Sequence, residues 1–153
     1  MPKSDIQFNP DITVACVIVR EGRFLLVEED VHGRRVLNQP AGHLEPDEGL
    51  VEAAQREALE ETGWRVRPTS FIGSYLWRAG TGKTYIRFAF AADALEHDPR
   101  RPLDAGIVGC VWLSPAEMRA QSARLRSPLV LAAVDDYLGG QRASLDLVRH
   151  VGG

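Results

Sequence analysis

At 153 residues the chain has the size of one domain, since domains run about 100–200 residues. Its 44% hydrophobic and 25% charged content is ordinary globular composition, which excludes disordered and fibrous classes, and no apolar run reaches the ~18 residues of a membrane span. A net charge of −3 gives no general attraction for nucleic acid, so neither DNA nor a membrane is expected as a partner.

The chain opens Met1-Pro2-Lys3-Ser4-Asp5, without the basic-then-apolar layout of a signal peptide. Thr13–Val19 is β-branched and almost wholly apolar, the pattern of a strand buried on both faces. Glu21-Gly22 supplies a turn and Phe24–Val27 a returning strand. Val36–Gln39 is a short run ending at Pro40, and Ala41–Pro46 reads as a loop. Asp47 stands as N-cap for a helix from about Glu48 to Thr62, with Gly63 ending it. Strands at Phe71–Trp77 and Thr84–Ala92 flank a Gly-rich turn, and Leu95–Asp104 is a polar loop. A strand follows at Gly109–Leu113, then a short helix opened by Ser114-Pro115 and a longer one from Ser127-Pro128 to Gly139-Gly140. The two cysteines, Cys16 and Cys110, are too few for a disulfide framework or a cysteine zinc site, and the expected location is the cytoplasm.

The helix before Gly63 carries the chemistry. At ~100° per residue, Glu57, Glu60 and Glu61 share one arc beside an apolar stripe of Val51, Ala54 and Ala58. Like charges at i,i+4 cost roughly 0.2–0.5 kcal/mol, and anions in a last turn roughly 0.3–1 kcal/mol each. Local violations of this size tend to mark function. Clustered carboxylates suit a hard divalent cation such as Mg²⁺, which takes oxygen ligands and shares them with phosphate. The absence of soft ligands argues against zinc or copper. A solvated face neutralised by Arg56 and Arg65 is the plainer alternative.

Gly42, Glu48, Arg56, Glu57, Glu60, Glu61 and Gly63 stand at spacings that resemble the signature of the Nudix hydrolases. At roughly 6% per fixed residue, a chance match over ~130 start positions is on the order of 10⁻⁶. Val14–Val17, Asn38–Glu45 and Leu125–Val130 are further similar to small bacterial phosphatases of the NudJ type. The resemblance implies an α/β fold, a Nudix-type α/β/α sandwich with a mixed central sheet, spanning 8–140 with the motif at 42–64. Residues 141–153 form a tail without an assigned structure.

It also implies Mg²⁺, or Mn²⁺ in its place, held by Glu57, Glu60 and Glu61 with the backbone carbonyl of Gly42. Glu60 is the candidate to orient or deprotonate the attacking water, with Glu96, Asp98 and Asp104 as competing bases. Arg56, flanked by Glu52 and Glu60 at i−4 and i+4, holds a ligand in place. Glu48 sits near the helix start, where the dipole favours it, in a structural rather than a ligating role. Arg87, Lys83 and His43 are candidates to bind substrate phosphate, against plainer roles as surface or loop residues. Tyr75, Trp77 and Tyr85 offer rings to stack a base, or serve as core. Asp135-Asp136 reads as the polar face of the last helix.

The pattern departs from the family at Trp64, at Leu37–Gly42 in place of Trp-x-x-Pro-Gly-Gly, at Val111, and after Asp104. The expected function is Mg²⁺-dependent hydrolysis of nucleoside tri- or diphosphates or related pyrophosphates, including thiamine-type ones, acting on a small phosphorylated molecule. ADP-ribose, dinucleoside polyphosphates and capped RNA are alternative substrates. A non-catalytic sensing module would have lost motif carboxylates, and none is lost. Monomer and homodimer are not distinguished.

Overall fold

In the computed structural model residues 7–152 are described; the start Met1–Asp5, read for a signal peptide, lies outside the described residues. Strand β1 (Asp11–Arg20) is buried without interruption from Thr13 to Ile18, as an apolar, β-branched run requires. Val14, Cys16 and Ile18 enter one core cluster and Val17 the other, so β1 lies between two cores. The turn at Glu21-Gly22 uses two left-handed residues (φ 51° and 75°) to start β2 (Arg23–Val31). The two strands pair only at Val19–Phe24 and Arg20–Arg23 and then diverge.

β2 continues between β3 (Arg34–Asn38) and β7 (Ile107–Leu113), antiparallel to both. β1 pairs in parallel with β6 (Thr84–His97), and β6 in antiparallel with β5 (Trp64–Arg78). The result is a mixed seven-stranded sheet in the order β3-β2-β1-β6-β5, with β7 against β2 and β4 (Ala41–His43) against β1. Helix α1 (Leu50–Thr62) packs Ala53, Ala54 and Ala58 on one core, and α3 (Leu129–Leu138) packs Val130, Ala133 and Val134 on the other. This is the expected α/β/α sandwich. α2 (Pro115–Ala120) opens with a capping box between Ser114 and Glu117, which also holds the Glu117 carboxyl below its ordinary range. Among the described residues no helix is long and apolar enough to cross a membrane.

Four sequence expectations need correction. Ala41–His43 is a strand, not loop: it pairs with β1 at Thr13–His43, Val14–Gly42 and Ala15–Ala41. Three residues are too short for period-2 patterning to show. The helix begins at Leu50 behind Gly49, not behind Asp47, which adopts φ 67°. The Glu48 carboxylate instead accepts the Glu45 amide at 2.8 Å, closing the turn before the helix. β5 begins at Trp64 rather than Phe71, directly after Gly63 (φ 74°) ends α1 with its amide donating to Leu59 O. Pro68 falls at a register shift on this terminal strand, a place where proline is tolerated in a sheet. β6 likewise runs on to His97 instead of stopping at Ala92, lengthened by its pairing with β5. The tail also has a place: Ala143 bridges Phe71, and Leu145 and Val148 pack on the α1-side core.

Candidate active site

The site is built where β4 passes the solvent-facing edge of α1. Arg56 gathers the acids. Its Nε and Nη2 reach Glu48 at 2.9 and 2.7 Å, its Nη1 reaches Glu57 at 2.8 Å and Glu60 at 3.1 Å, and Nη2 also donates to His43 O. The forked contact with Glu48 is the geometry guanidinium provides. It holds the Glu48 carboxyl below its usual range, and Glu48 in turn keeps Arg56 firmly protonated. Glu48 and Glu45, not Glu52, are thus the extra partners of Arg56. The Glu52 carboxylate folds back toward Gly49 at the helix start.

Gly42 is required by close approach: a Cβ there would lie 2.2–2.4 Å from the Glu57 carboxylate atoms. One residue earlier, the Ala41 amide donates to Glu61 at 2.8 Å. A three-residue strand therefore clamps both carboxylates from the backbone side.

Glu57, Glu61 and Asp104 each offer an oxygen within 4.8 Å of the others. Asp104 arrives from the loop after β6, whose backbone amide at Asp104 bonds Glu60 O at the end of α1. Burial pushes both glutamates up in pKa, Glu61 to about 8, and the neighbouring acids push the same way against the Ala41 and Arg56 hydrogen bonds. Glu60 is not part of this trio; its carboxylate is held by Arg56. Of the competing bases, Glu96 pairs with Arg65 on the surface and Asp98 caps the Arg100 amide, so only Asp104 reaches the acids. Asp104 was legible only as an isolated loop acid, because the turn that brings it to α1 is a tertiary contact.

A cavity of about 530 Å³ opens beside Glu57, Glu61 and Gly42. Arg87 lines it from β6, only 8% exposed, with Nε 3.4 Å from Thr13 Oγ1 and Nη1 without any partner. Burial lowers its pKa to about 10, still charged at neutral pH. It is therefore not the surface arginine that was its plainer alternative. Trp77 and Tyr85 stack at 5.4 Å on the same wall, whereas Tyr75 turns away to donate to Asp136 at 2.6 Å. His43 lines the mouth, 3.2 Å from Asp11. Lys83 does not line the cavity: its ammonium is spent on Asp11 at 3.0 Å and Asn9 O at 3.3 Å. Arg126, paired with Glu29, and Asn38 line the cavity and were not singled out from the sequence. An apolar strand end and a turn before a helix give no local signal for them.

The family model of the NUDIX domain matches residues 9–133. The chain belongs to the Nudix family. It is 46% identical over 141 residues to Phosphatase NudJ of Escherichia coli (strain K12), covering 92% of each chain, and equally so to that of Shigella flexneri. Among solved structures, a NUDIX hydrolase from Nitrosomonas europaea superposes with a TM-score of 0.91 at 45% identity, over 93% of this chain and 97% of that one. A MutT protein from Methanosarcina mazei shares the fold, with a TM-score of 0.71 at 23% identity, over 90% of this chain and 99% of that one.

The protein is thus a Nudix hydrolase, a pyrophosphohydrolase enzyme of a family that acts on small phosphorylated substrates with divalent metal ions. Its residues fit such an ion. The trio supplies hard oxygen donors only, and its two buried glutamates have raised pKa: Glu57 despite Arg56, and Glu61 with no ion pair among the described residues, so added positive charge would favour both ionised forms.

Proposed function

We propose that this Nudix hydrolase is a Mg²⁺-dependent phosphatase of nucleoside tri- and diphosphates or related pyrophosphates, thiamine-type ones included, with Mn²⁺ able to replace Mg²⁺. One observation carries this reading: a single cavity sets Glu57 and Glu61, two of the acidic trio, against a buried arginine whose Nη1 has no partner among the described residues. Cation-binding acids beside a free guanidinium match the two ends of a metal–pyrophosphate complex.

Glu57 and Glu61 would hold the ion, with Asp104 and the Gly42 carbonyl beside them and Glu60 joining once it leaves Arg56. Bound there, the ion would neutralise phosphate charge and polarise a water molecule. Arg56 opposes the protonation that burial favours at Glu57 and keeps its carboxylate aimed. Arg87 takes the phosphate oxygens bidentately and stabilises the charge that grows as the P–O bond breaks. Asp104, free of ion pairs among the described residues, is placed better than Glu60 to orient the water and accept its proton. We further propose residues 8–140 as the catalytic domain, 141–153 as its packed tail, and a cytoplasmic setting.

The test is incubation with Mg²⁺ and, separately, GTP, GDP, a dinucleoside tetraphosphate, ADP-ribose and thiamine pyrophosphate, scoring orthophosphate against pyrophosphate. Orthophosphate from GTP, GDP or thiamine pyrophosphate supports the proposal. Cleavage confined to ADP-ribose or the dinucleoside tetraphosphate would overturn it.

A further inference from the structure

The described residues hold four buried side-chain polar atoms without a hydrogen-bond partner: Asn38 Oδ1, Gln39 Oε1, Ser70 Oγ and Arg87 Nη1. Two of these four residues, Asn38 and Arg87, line the cavity. Gln39 is anchored through Nε2 to Val130 O at 2.7 Å, a structural bond away from the cavity. Asn38 is different. Its residue is 7% exposed and its buried Oδ1 has no hydrogen-bond partner among the described residues. A buried amide left so costs about 1–3 kcal/mol, an arrangement expected where a ligand completes it.

Arg87 offers donors only, which suits phosphate. A carboxamide offers an acceptor and two donors side by side, which suits the edge of a heterocycle rather than a phosphate group. Trp77 and Tyr85 give the cavity a stacked aromatic wall. An adjoining hollow of about 360 Å³ shares Trp77, Arg126 and Ser127 with it, leaving room beyond the phosphate end.

We propose that Asn38 reads the non-phosphate part of the substrate, a planar heterocycle carrying neighbouring hydrogen-bond donor and acceptor atoms, such as a nucleobase or an aminopyrimidine. The proposal rests on the hydrolase reading above and adds the selectivity of that site. A site built to hydrogen-bond a substrate edge discriminates strongly against a molecule that lacks it.

The experiment compares wild type, Asn38→Ala and the near-isosteric Asn38→Asp on GTP, thiamine pyrophosphate and inorganic tripolyphosphate, which has no ring. Binding of a methylene-bridged nucleotide analogue is followed by calorimetry alongside. The ratio of kcat/KM for the ringed substrate over tripolyphosphate should fall 10- to 100-fold in both variants, mainly through KM, with the analogue bound correspondingly weaker. A fall on GTP alone identifies a nucleobase, and a fall on thiamine pyrophosphate alone an aminopyrimidine. An unchanged ratio on both ringed substrates, including parallel loss on all three, overturns the proposal. Binding that weakens in the variants of a wild type that cleaves nothing would instead overturn the hydrolase reading and leave this one standing.

Discussion

Glu61 is the residue whose environment most opposes its charge. Its folded pKa of about 8 lies above the ordinary glutamate value, so the folded metal-free protein binds more protons than the unfolded chain between about pH 4.5 and 8. Stability from this group is therefore lost as pH rises through that window, by at most about 5 kcal/mol. Thermal melting of the metal-free protein should fall from pH 5 to pH 8, and Mg²⁺ should reverse the trend. Glu61→Gln should flatten it. Glu57→Gln and Glu61→Gln should each abolish turnover and weaken Mg²⁺ binding with melting temperature equal or higher, checked by calorimetry. Large destabilisation with activity kept would contradict a metal role. At the same scale, Asp104→Asn should lower kcat by ~10²-fold or more and Glu60→Gln by less. Stopped assays under saturating substrate decide it, and the reverse order would return the base to Glu60.

Among the elements, β4 and α1 act as one device. The strand delivers the Ala41 amide to Glu61 and leaves a gap at Gly42 for Glu57, and the αL turn at Gly63 points the chain into β5. Gly42→Ala should cost about 1–3 kcal/mol of overpacking and displace the Glu57 carboxylate. The expected result is a folded protein, by circular dichroism, with activity lost. Retained activity would mean that β4 yields without moving Glu57. Much of this device was legible: the carboxylate arc and the helix stop follow from spacing, and Gly42 stands at a fixed position of the motif. The strand character of Ala41–His43 and the helix start at Gly49 were not, because pairing with β1 and the turn held by Glu48 decide them. Lys83 shows the same limit, since its place beside the site in sequence says nothing of Asp11, which captures it.

At the scale of the molecule, two layers of helix cover a sheet whose strand β1 contributes to both cores, and the tail closes one flank through Ala143, Leu145 and Val148. Truncation after residue 140 should lower the melting temperature by exposing this flank while leaving kcat within about twofold. A loss of kcat at unchanged stability would place the tail in catalysis instead. The chain alone determined the acidic arc and its appetite for a cation, through local periodicity, and the family, through motif spacing; the sandwich class came with the family resemblance. Only the folded molecule decided that Asp104 joins Glu57 and Glu61, and that Arg87 and Asn38 face one cavity with unspent hydrogen-bonding atoms. Those relations join segments distant along the chain, and no local pattern carries a distance between them.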